Sequence, residues 1–446
     1  MSIAELRNIR LTAFKSFRGA AFPVSKLTVL TGRNSSGKSN ALDGIEVLSR
    51  LAGGEDLADA LDGRRREGGT VRGGSRGCAP HGLNYFDLGC SVVLRRNVYH
   101  FDVRVQVEPE LRILREVLRG PGPALESGLV DQRYLLWTKP AGDQNAGLWA
   151  EVHNGKRGVN PVVHFRDNRL LITQVPARLV PKNDADEAVV RGAQAVVAAL
   201  RGVFHFDPVP HLMRDYAAVR DADLRRTGEN LSAAIARLAS LDEKTFKRLV
   251  HLVQEVADEG ISGIEVTPSA LGDVMLALRE GNRDHQITPA REMSDGLLRF
   301  MAIATALLTA NRGLDIDSGL ASQGEISSGI LLVVEELENG LHPSQAARVL
   351  SLIRETAEKK GTRVAVTTHS PALLNAFPGH LNRNVLVCYR NRQSGSSELL
   401  RLTDLPGYAE SMAIGRLGDV VTDGRLVRPE VVADDYSDFN RLLGIE

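Results

Sequence analysis

A chain of 446 residues is long enough for two or three folding units and a sizeable core, and 43% hydrophobic with 25% charged residues is the balance of a soluble globular protein. Its 55 basic and 55 acidic side chains cancel, so no whole-molecule field argues for a polyanionic partner and only local patches could. Cys78, Cys90 and Cys388 show no C-x-x-C spacing, which argues against a zinc site or a disulfide framework. The opening Met1-Ser2-Ile3-Ala4-Glu5 lacks a secretory signal, and no apolar run approaches the roughly 20 residues that span a bilayer. The expectation is a soluble, cytoplasmic protein with no membrane partner.

Leu6 to Phe17 alternates apolar and polar residues as a half-buried strand does, and a second strand is predicted at Lys26 to Thr31. Directly after it, Gly32-Arg33-Asn34-Ser35-Ser36-Gly37-Lys38-Ser39 satisfies G-x-x-x-x-G-K-[ST] at every specified position, and a helical pattern follows from Ala41 to Leu51. A strand turning into a helix aims backbone N–H groups and the positive helix end at one point. Gly32 and Gly37 let the backbone close around phosphate, Lys38 would reach the β- and γ-phosphates, and Ser39 would ligate Mg2+.

A Gly/Arg-rich segment, Gly63 to Gly77, has almost no apolar content and is expected to be a mobile surface loop, either merely solvated or in contact with nucleic-acid phosphates or a partner's acidic face. Alternation returns from Cys90 to Val107 as a hairpin turning near Asn97. Further short strands are predicted at Tyr134 to Trp137, Leu148 to His153 and Leu170 to Gln174, together an antiparallel sheet with Pro121, Pro123 and Gly142 in its loops. From Asp186 to about Val256 the pattern is helical, with Leu231, Ile235 and Leu238 on one face and Leu249, Leu252, Val253 and Val256 on another. Neither run sustains heptads, so a packed helical subdomain or short arm is expected rather than a long coiled coil.

Three later stretches narrow the reading. Ser294-Asp295-Gly296 opens an apolar helix from Met301 to Ala310, combining a hydroxyl, a bare backbone and a helix dipole; the same three residues also make a good N-cap. Gly329 to Val334 is an apolar strand ending in Glu335 and Glu336, the form of a Walker B element. Two carboxylates at the end of a buried strand are costly without a cation. The first would hold Mg2+ and the second would orient or deprotonate an attacking water. Arg363 to Thr367 is another buried strand, ending in Thr368-His369-Ser370 about 33 residues after Glu336 and across a helix starting at Pro343. That βαβ unit puts both functional ends on one edge, where His369 would contact the γ-phosphate.

The order of these motifs resembles the ABC-type ATPase superfamily and, within it, the RecF/SMC/OLD-like branch of bacterial AAA-family ATPases. The resemblance rests on residues 11–17, 31–40, 293–300, 333–343 and 366–371, and extends over essentially the whole chain, including Gly228 to Leu231 and Arg416 to Asp419. It implies an α/β P-loop head, a mixed sheet with flanking helices plus an antiparallel β subdomain and a helical insertion. Its parts would be an ATPase lobe over 1–180 with the phosphate loop, a helical subdomain over 181–284, and a second lobe over 285–446 with signature, Walker B and histidine switch. It further implies ATP and Mg2+ as cofactors, bound by Gly32 to Asn40, and a homodimer or larger homo-oligomer closing head to head around two ATPs. Ser294, Asp295 and Gly296 of one subunit would cap the nucleotide held by Lys38 of the other, with Glu338, Asn339 and Gly340 in the D-loop at the interface. Lys38, Glu336 and His369 would carry catalysis, and Ser39 and Glu335 the metal. Gln174 is offered as a Q-loop metal contact in a poorly matching local pattern.

Two departures bear on function. Glu335 stands where the family usually has aspartate, one methylene shorter, which is expected to shift the metal or slow turnover. The 77 residues after His369 read as a strand, Val385 to Tyr389, plus loops, so the metal-binding TOPRIM nuclease domain of some relatives is not expected. The leading reading is an ATP-driven switch acting on DNA or on a separate effector, in anti-phage defence or genome maintenance. A membrane-transporter ATPase is disfavoured because Lys38 and Ser294 lie about 256 residues apart, far more than transporter ATPases keep. A small-metabolite P-loop kinase would leave Ser294 and His369 without roles.

Overall fold

The structure is a computed structural model of the chain and describes residues 2–63, 69–124, 130–139, 147–156, 158–257, 260–281, 286–316, 326–339, 343–359 and 361–422. The opening strand, β1 (Ser2–Ala13), buries Ala4, Leu6, Ile9 and Leu11 on one face, a bulge between Leu6 and Asn8 shifting the alternation by one residue. β2 (Ala20–Pro23) folds back on it, and β3 (Leu27–Thr31), buried at every position, leads through the phosphate loop into α1 (Lys38–Ala52) and then α2 (Leu57–Asp62). The antiparallel sheet continues as β4 (Tyr85–Leu94), β5 (Asn97–Gln106), β6 (Arg112–Ala124), β7 (Val130–Thr138), β8 (Leu148–Val152) and β9 (Val162–Phe165).

Three expectations change here. Pro121 and Pro123 lie within β6 rather than in a loop. Beyond Arg119, which pairs with His100, β6 is bonded on one side only, to β7, the kind of edge position where strands hold proline. Leu170 to Gln174 is not a strand but the start of α3 (Leu171–Arg178), whose first N–H groups, those of Leu171 and Ile172, donate to the buried Glu116 carboxylate at 2.8 and 2.7 Å. The described part of the Gly/Arg segment is anchored rather than loose: Val71 is buried, its N–H bonds the Leu61 carbonyl, Asp62 holds Ser75, and Lys15 Nζ donates to the Arg72 carbonyl at 2.7 Å. Residues 64–68 of that segment lie outside the described residues.

The span 181–284, expected as a helical subdomain, is divided. α4 (Asp184–Arg201), N-capped by Asn183, packs across the antiparallel sheet, and β10 (Val203–Phe206) joins the parallel one. Only α5 (Leu231–Leu241) and α6 (Glu243–Val256) are the expected amphipathic helices, flanked by β11 (Ala217–Ala218), β12 (Ile261–Pro268), β13 (Asp273–Glu280) and β14 (Gln286–Pro289), which make a small antiparallel sheet. The chain then runs through α7 (Asp295–Thr309), β15 (Ile326–Ser328), β16 (Ile330–Val334), α8 (Pro343–Ala357), β17 (Thr362–Thr367), α9 (Pro371–Asn375), β18 (Val385–Arg390), β19 (Ser397–Arg401), α10 (Tyr408–Ile414) and α11 (Leu417–Thr422).

The parallel sheet, in the order β10-β16-β17-β3-β18 with β19 antiparallel at its edge, separates two hydrophobic cores. Leu30, Leu331, Val333 and Ala365 point into the first, with α1, α4 and the large antiparallel sheet; Val29, Leu332, Val334, Val364 and Val366 point into the second, with α7 and α8. Strands buried on both faces explain the unbroken apolar runs in the sequence. Among the described residues no helix is long and apolar enough to cross a membrane.

Candidate nucleotide-binding site

β3, β17 and β16 are neighbours and parallel, so their C-terminal ends set the phosphate loop, Thr368-His369 and Glu335-Glu336 along one edge of the sheet. Gly32 (φ 147°) and Gly37 (φ 113°) make the loop conformation available. A Cβ on Gly32 would collide with the Cys388 carbonyl of β18, and one on Gly37 with the Ser397 hydroxyl of β19. The loop is braced from below: Ser397 Oγ donates to the Ser36 carbonyl at 2.7 Å and accepts from Ser16 Oγ at 2.8 Å, and Asn40 Nδ2 donates to the same Ser16 hydroxyl at 2.9 Å. Arg33, Asn34 and Ser35 are exposed, while Ser36 is buried.

The N-terminus of α1 is built for an anion. Gly37 supplies no side-chain cap, the first turn holds no acid, and its first residue is Lys38. Lys38 Nζ donates to the Gly32 and Arg33 carbonyls at 2.7 and 3.1 Å, curled over the cradle it would share with phosphate. Burial lowers the pKa of its ammonium, against the pull of Cys388, Glu336 and Glu338. These features fit a nucleotide's phosphates.

Glu335 sits at the end of β16, with Oε1 2.8 Å from His205 Nε2 on β10 and 3.6 Å from Arg72 Nη2. Burial alone would raise its pKa, but the His205 hydrogen bond and charge, with Arg72, hold it below the ordinary carboxylate value. His205 Nδ1 in turn lies 3.8 Å from Glu46 on α1, whose carboxylate is also held below its ordinary value because His205, Arg50 and Arg226 outweigh its burial. Ser39 and Glu335 are the residues that would hold Mg2+, and the ionised state of Glu335 suits that task. Among the described residues no group of three or more His, Cys, Asp or Glu is arranged to hold a metal alone. Mg2+ bound with phosphate asks only one or two protein oxygens.

Glu336 takes a left-handed backbone (φ 45°) that ordinary residues avoid, fixed by its N–H donating to Thr367 Oγ1 at 2.7 Å. Its carboxylate accepts from Asn339 Nδ2. Glu338 accepts the His369 backbone N–H at 2.6 Å and lies 3.0 Å from His369 Nδ1, so this carboxylate orients the histidine within the same chain. Gly340 lies outside the described residues.

Ser294 caps α7, its hydroxyl accepting the Leu297 N–H at 3.3 Å, and Ser294 and Asp295 are exposed. Among the described residues no hydrogen bond joins them to the phosphate loop, while Arg214 pairs with Asp295, and Arg299 on α7 donates to the Glu335 carbonyl at 3.2 Å. Gln174 is not at this edge. It lies on α3 beside Gly53, at the far end of α1, where its amide is bonded to backbone atoms of Arg166 and Arg169. The strand next to β16 instead leads into Asp207, whose pKa burial raises despite Arg299. The expectation thus missed His205, Asp207, Glu46 and Arg72. Of these only His205, a basic residue inside an apolar strand, carried a signal in the sequence.

A parallel α/β sheet with a phosphate loop, an acid pair and a histidine on one edge defines a P-loop nucleotide-binding domain. The chain belongs to the family described as "AAA domain, putative AbiEii toxin, Type IV TA system", which matches residues 27–94 and 181–375, over half its length. Among solved structures it is similar to the SmcHead bound to the C-winged helix domain of ScpA, at 13% identity and a TM-score of 0.47, covering 89% of this chain and 97% of that one. It is also similar to the Pyrococcus furiosus Smc head domain with an extended coiled coil bound to the C-terminal domain of ScpA (11%, TM-score 0.42, 89% and 96%) and to the SMC head domain from Thermotoga maritima (15%, 0.35, 89% and 98%). No curated protein matches the chain.

Proposed function

We propose that the chain binds ATP with Mg2+, closes head to head with a second copy around it, hydrolyses it to ADP and phosphate, and so switches an action on DNA or on a separate effector in defence or genome maintenance. The observation that carries this reading is the shared edge: an uncapped α1 N-terminus bearing Lys38, with His369 following β17, the strand beside β3, and Glu336 following β16, the next strand out. Bound Mg2+ would neutralise charge on the phosphates. Lys38 and the loop amides hold the phosphates, and Glu336 orients a water and takes its proton. His369, steadied by Glu338, meets the terminal phosphate. The exposed start of α7 supports a role for Ser294, Asp295 and Gly296 toward a partner copy, since the same chain's phosphate loop is bonded elsewhere.

The test pairs hydrolysis with mass in solution. Lys38→Ala is expected to lose ATP binding, and Glu336→Gln to bind ATP, hydrolyse it at least tenfold more slowly and double in mass with Mg·ATP. Growth of that doubling on adding DNA would favour DNA as the object of the switch, and indifference to DNA a protein effector. Wild-type turnover by Glu336→Gln would remove that residue from the chemistry, and a mass above a dimer without nucleotide would replace the switch by a standing assembly.

A further inference from the structure

At the end of α1 opposite the phosphate loop lies a second concavity, of about 310 Å3, whose lining includes Arg166, Arg169, Arg178 and Arg201 and no acidic residue. α1 has 15 residues and is therefore roughly 22 Å long, so this cavity and the nucleotide edge are separate places joined by one helix. Its volume is at the small end of ligand pockets.

Three of the four guanidinium groups have partners, Arg178 and Arg201 on backbone carbonyls and Arg169 on a carboxylate. Arg201 donates from Nε and Nη2 to the Ala52 and Gly53 carbonyls at 2.8 and 2.9 Å, closing the C-terminal end of α1. Arg169 pairs with Asp56, which stands outside the lining. Arg178 donates to the His164 carbonyl at 3.3 Å, and Arg166 and Arg178 are exposed. Gln174 explains the arrangement: its Oε1 accepts the Arg166 N–H at 3.1 Å, and its Nε2 donates to the Arg166 and Arg169 carbonyls at 2.9 and 3.2 Å, fixing the loop that carries both arginines. The bare backbone of Gly54 (φ 87°) forms part of the wall.

Like charges gathered in one cleft repel, and an arginine fork is matched by carboxylate or phosphate oxygens, which it can bond in pairs. Asp56 neutralises Arg169 and backbone carbonyls engage Arg201, so the charge open to a complement from outside is that of Arg166 and Arg178 on the rim. We propose that this cavity is an accessory site for a phosphate-bearing ligand, either a free nucleotide-sized phosphate or the 5′-phosphate end of a nucleic-acid strand. Arg166 and Arg178 reach the ligand from the rim, over a wall that includes Arg169 and Arg201. Occupancy would bear on Arg201 and so on the end of the helix that begins with Lys38.

The experiment uses the full chain carrying Lys38→Ala, so that the phosphate loop does not compete, titrated by calorimetry with inorganic pyrophosphate. A single-stranded oligonucleotide is then compared with and without its 5′-phosphate. Binding that weakens at least tenfold when Arg166→Ala and Arg178→Ala are added supports the site. Pyrophosphate binding names a small molecule as the source, and binding only of the 5′-phosphorylated oligonucleotide names a strand end. Absence of both, or affinity unchanged by the two substitutions, overturns the proposal. In the wild-type chain, arginine modification mapped by mass spectrometry gives an independent reading. Pyrophosphate should protect Arg166 and Arg178, and unprotected residues would overturn the site whatever the variants do.

Discussion

Glu116 is fully buried where β6 meets α3, and burial pushes its carboxyl up to about 8 even though two backbone N–H groups favour the ionised form. A folded-state pKa raised from 4.5 means that the folded chain holds this proton more tightly than the unfolded one. The contribution to stability is therefore whole below about pH 4.5 and is lost as pH rises through about 8. Glu116→Gln should flatten the fall in thermal midpoint between those values, and a variant with the wild-type slope would mean the loss originates elsewhere. Glu338 gives the residue scale a catalytic counterpart. It holds His369 at both the backbone and Nδ1, so Glu338→Ala should lower kcat roughly ten- to hundredfold through misplacement of the imidazole, with KM little changed. A rise in KM alone, in steady-state assays, would show instead that Glu338 serves nucleotide binding.

The phosphate loop is an element held by its neighbours as much as by its own glycines. Ser36, Ser397, Ser16 and Asn40 form one hydrogen-bonded chain beneath it, and Gly37 touches that chain where any side chain would strike Ser397. Gly37→Ala should therefore lose Mg·ATP binding in calorimetry and destabilise the fold by about 1–3 kcal/mol through its left-handed backbone. Adding Ser397→Gly would relieve the collision and leave the backbone strain, so full rescue would show that crowding is the whole effect and no rescue that φ is. Such braces span more than 350 positions of chain and leave no local pattern to find. What could be read in advance was short range: the loop motif, the β16 and β17 apolar runs ending in Glu335-Glu336 and Thr368-His369, and the buried stripes of α5 and α6. Leu170 to Gln174 misled because a short apolar run fits strand and helix alike, and the cap that decides it comes from Glu116, more than 50 positions earlier. Pro121 and Pro123 misled because proline is excluded only from strands bonded on both sides. The place of Gln174 depends on how α3 packs against α4, which no local pattern shows.

At the scale of the whole molecule, the parallel sheet joins two cores, and the buried Arg363 of β17 ties them further by donating to Glu5 of β1 at 2.8 Å. The same fold carries Lys38 at one helix start and Ser294 at another, the second exposed and unbonded to the first loop among the described residues. If each composite site takes Lys38 from one copy and Ser294 from the other, complementation follows from symmetry alone. Lys38→Ala and Ser294→Arg should each be inactive as pure proteins, the first for want of nucleotide binding and the second because an arginine blocks the facing site. In an equal mixture, about half of randomly assorted dimers are mixed, and each mixed dimer holds one site with both native residues. Independent sites would then restore about a quarter of the wild-type ATPase rate, and restoration would require freshly mixed protein rather than either variant at higher concentration. A mixture no more active than its parts would place Ser294 outside the nucleotide site, leaving α7 only the structural cap it forms with Leu297.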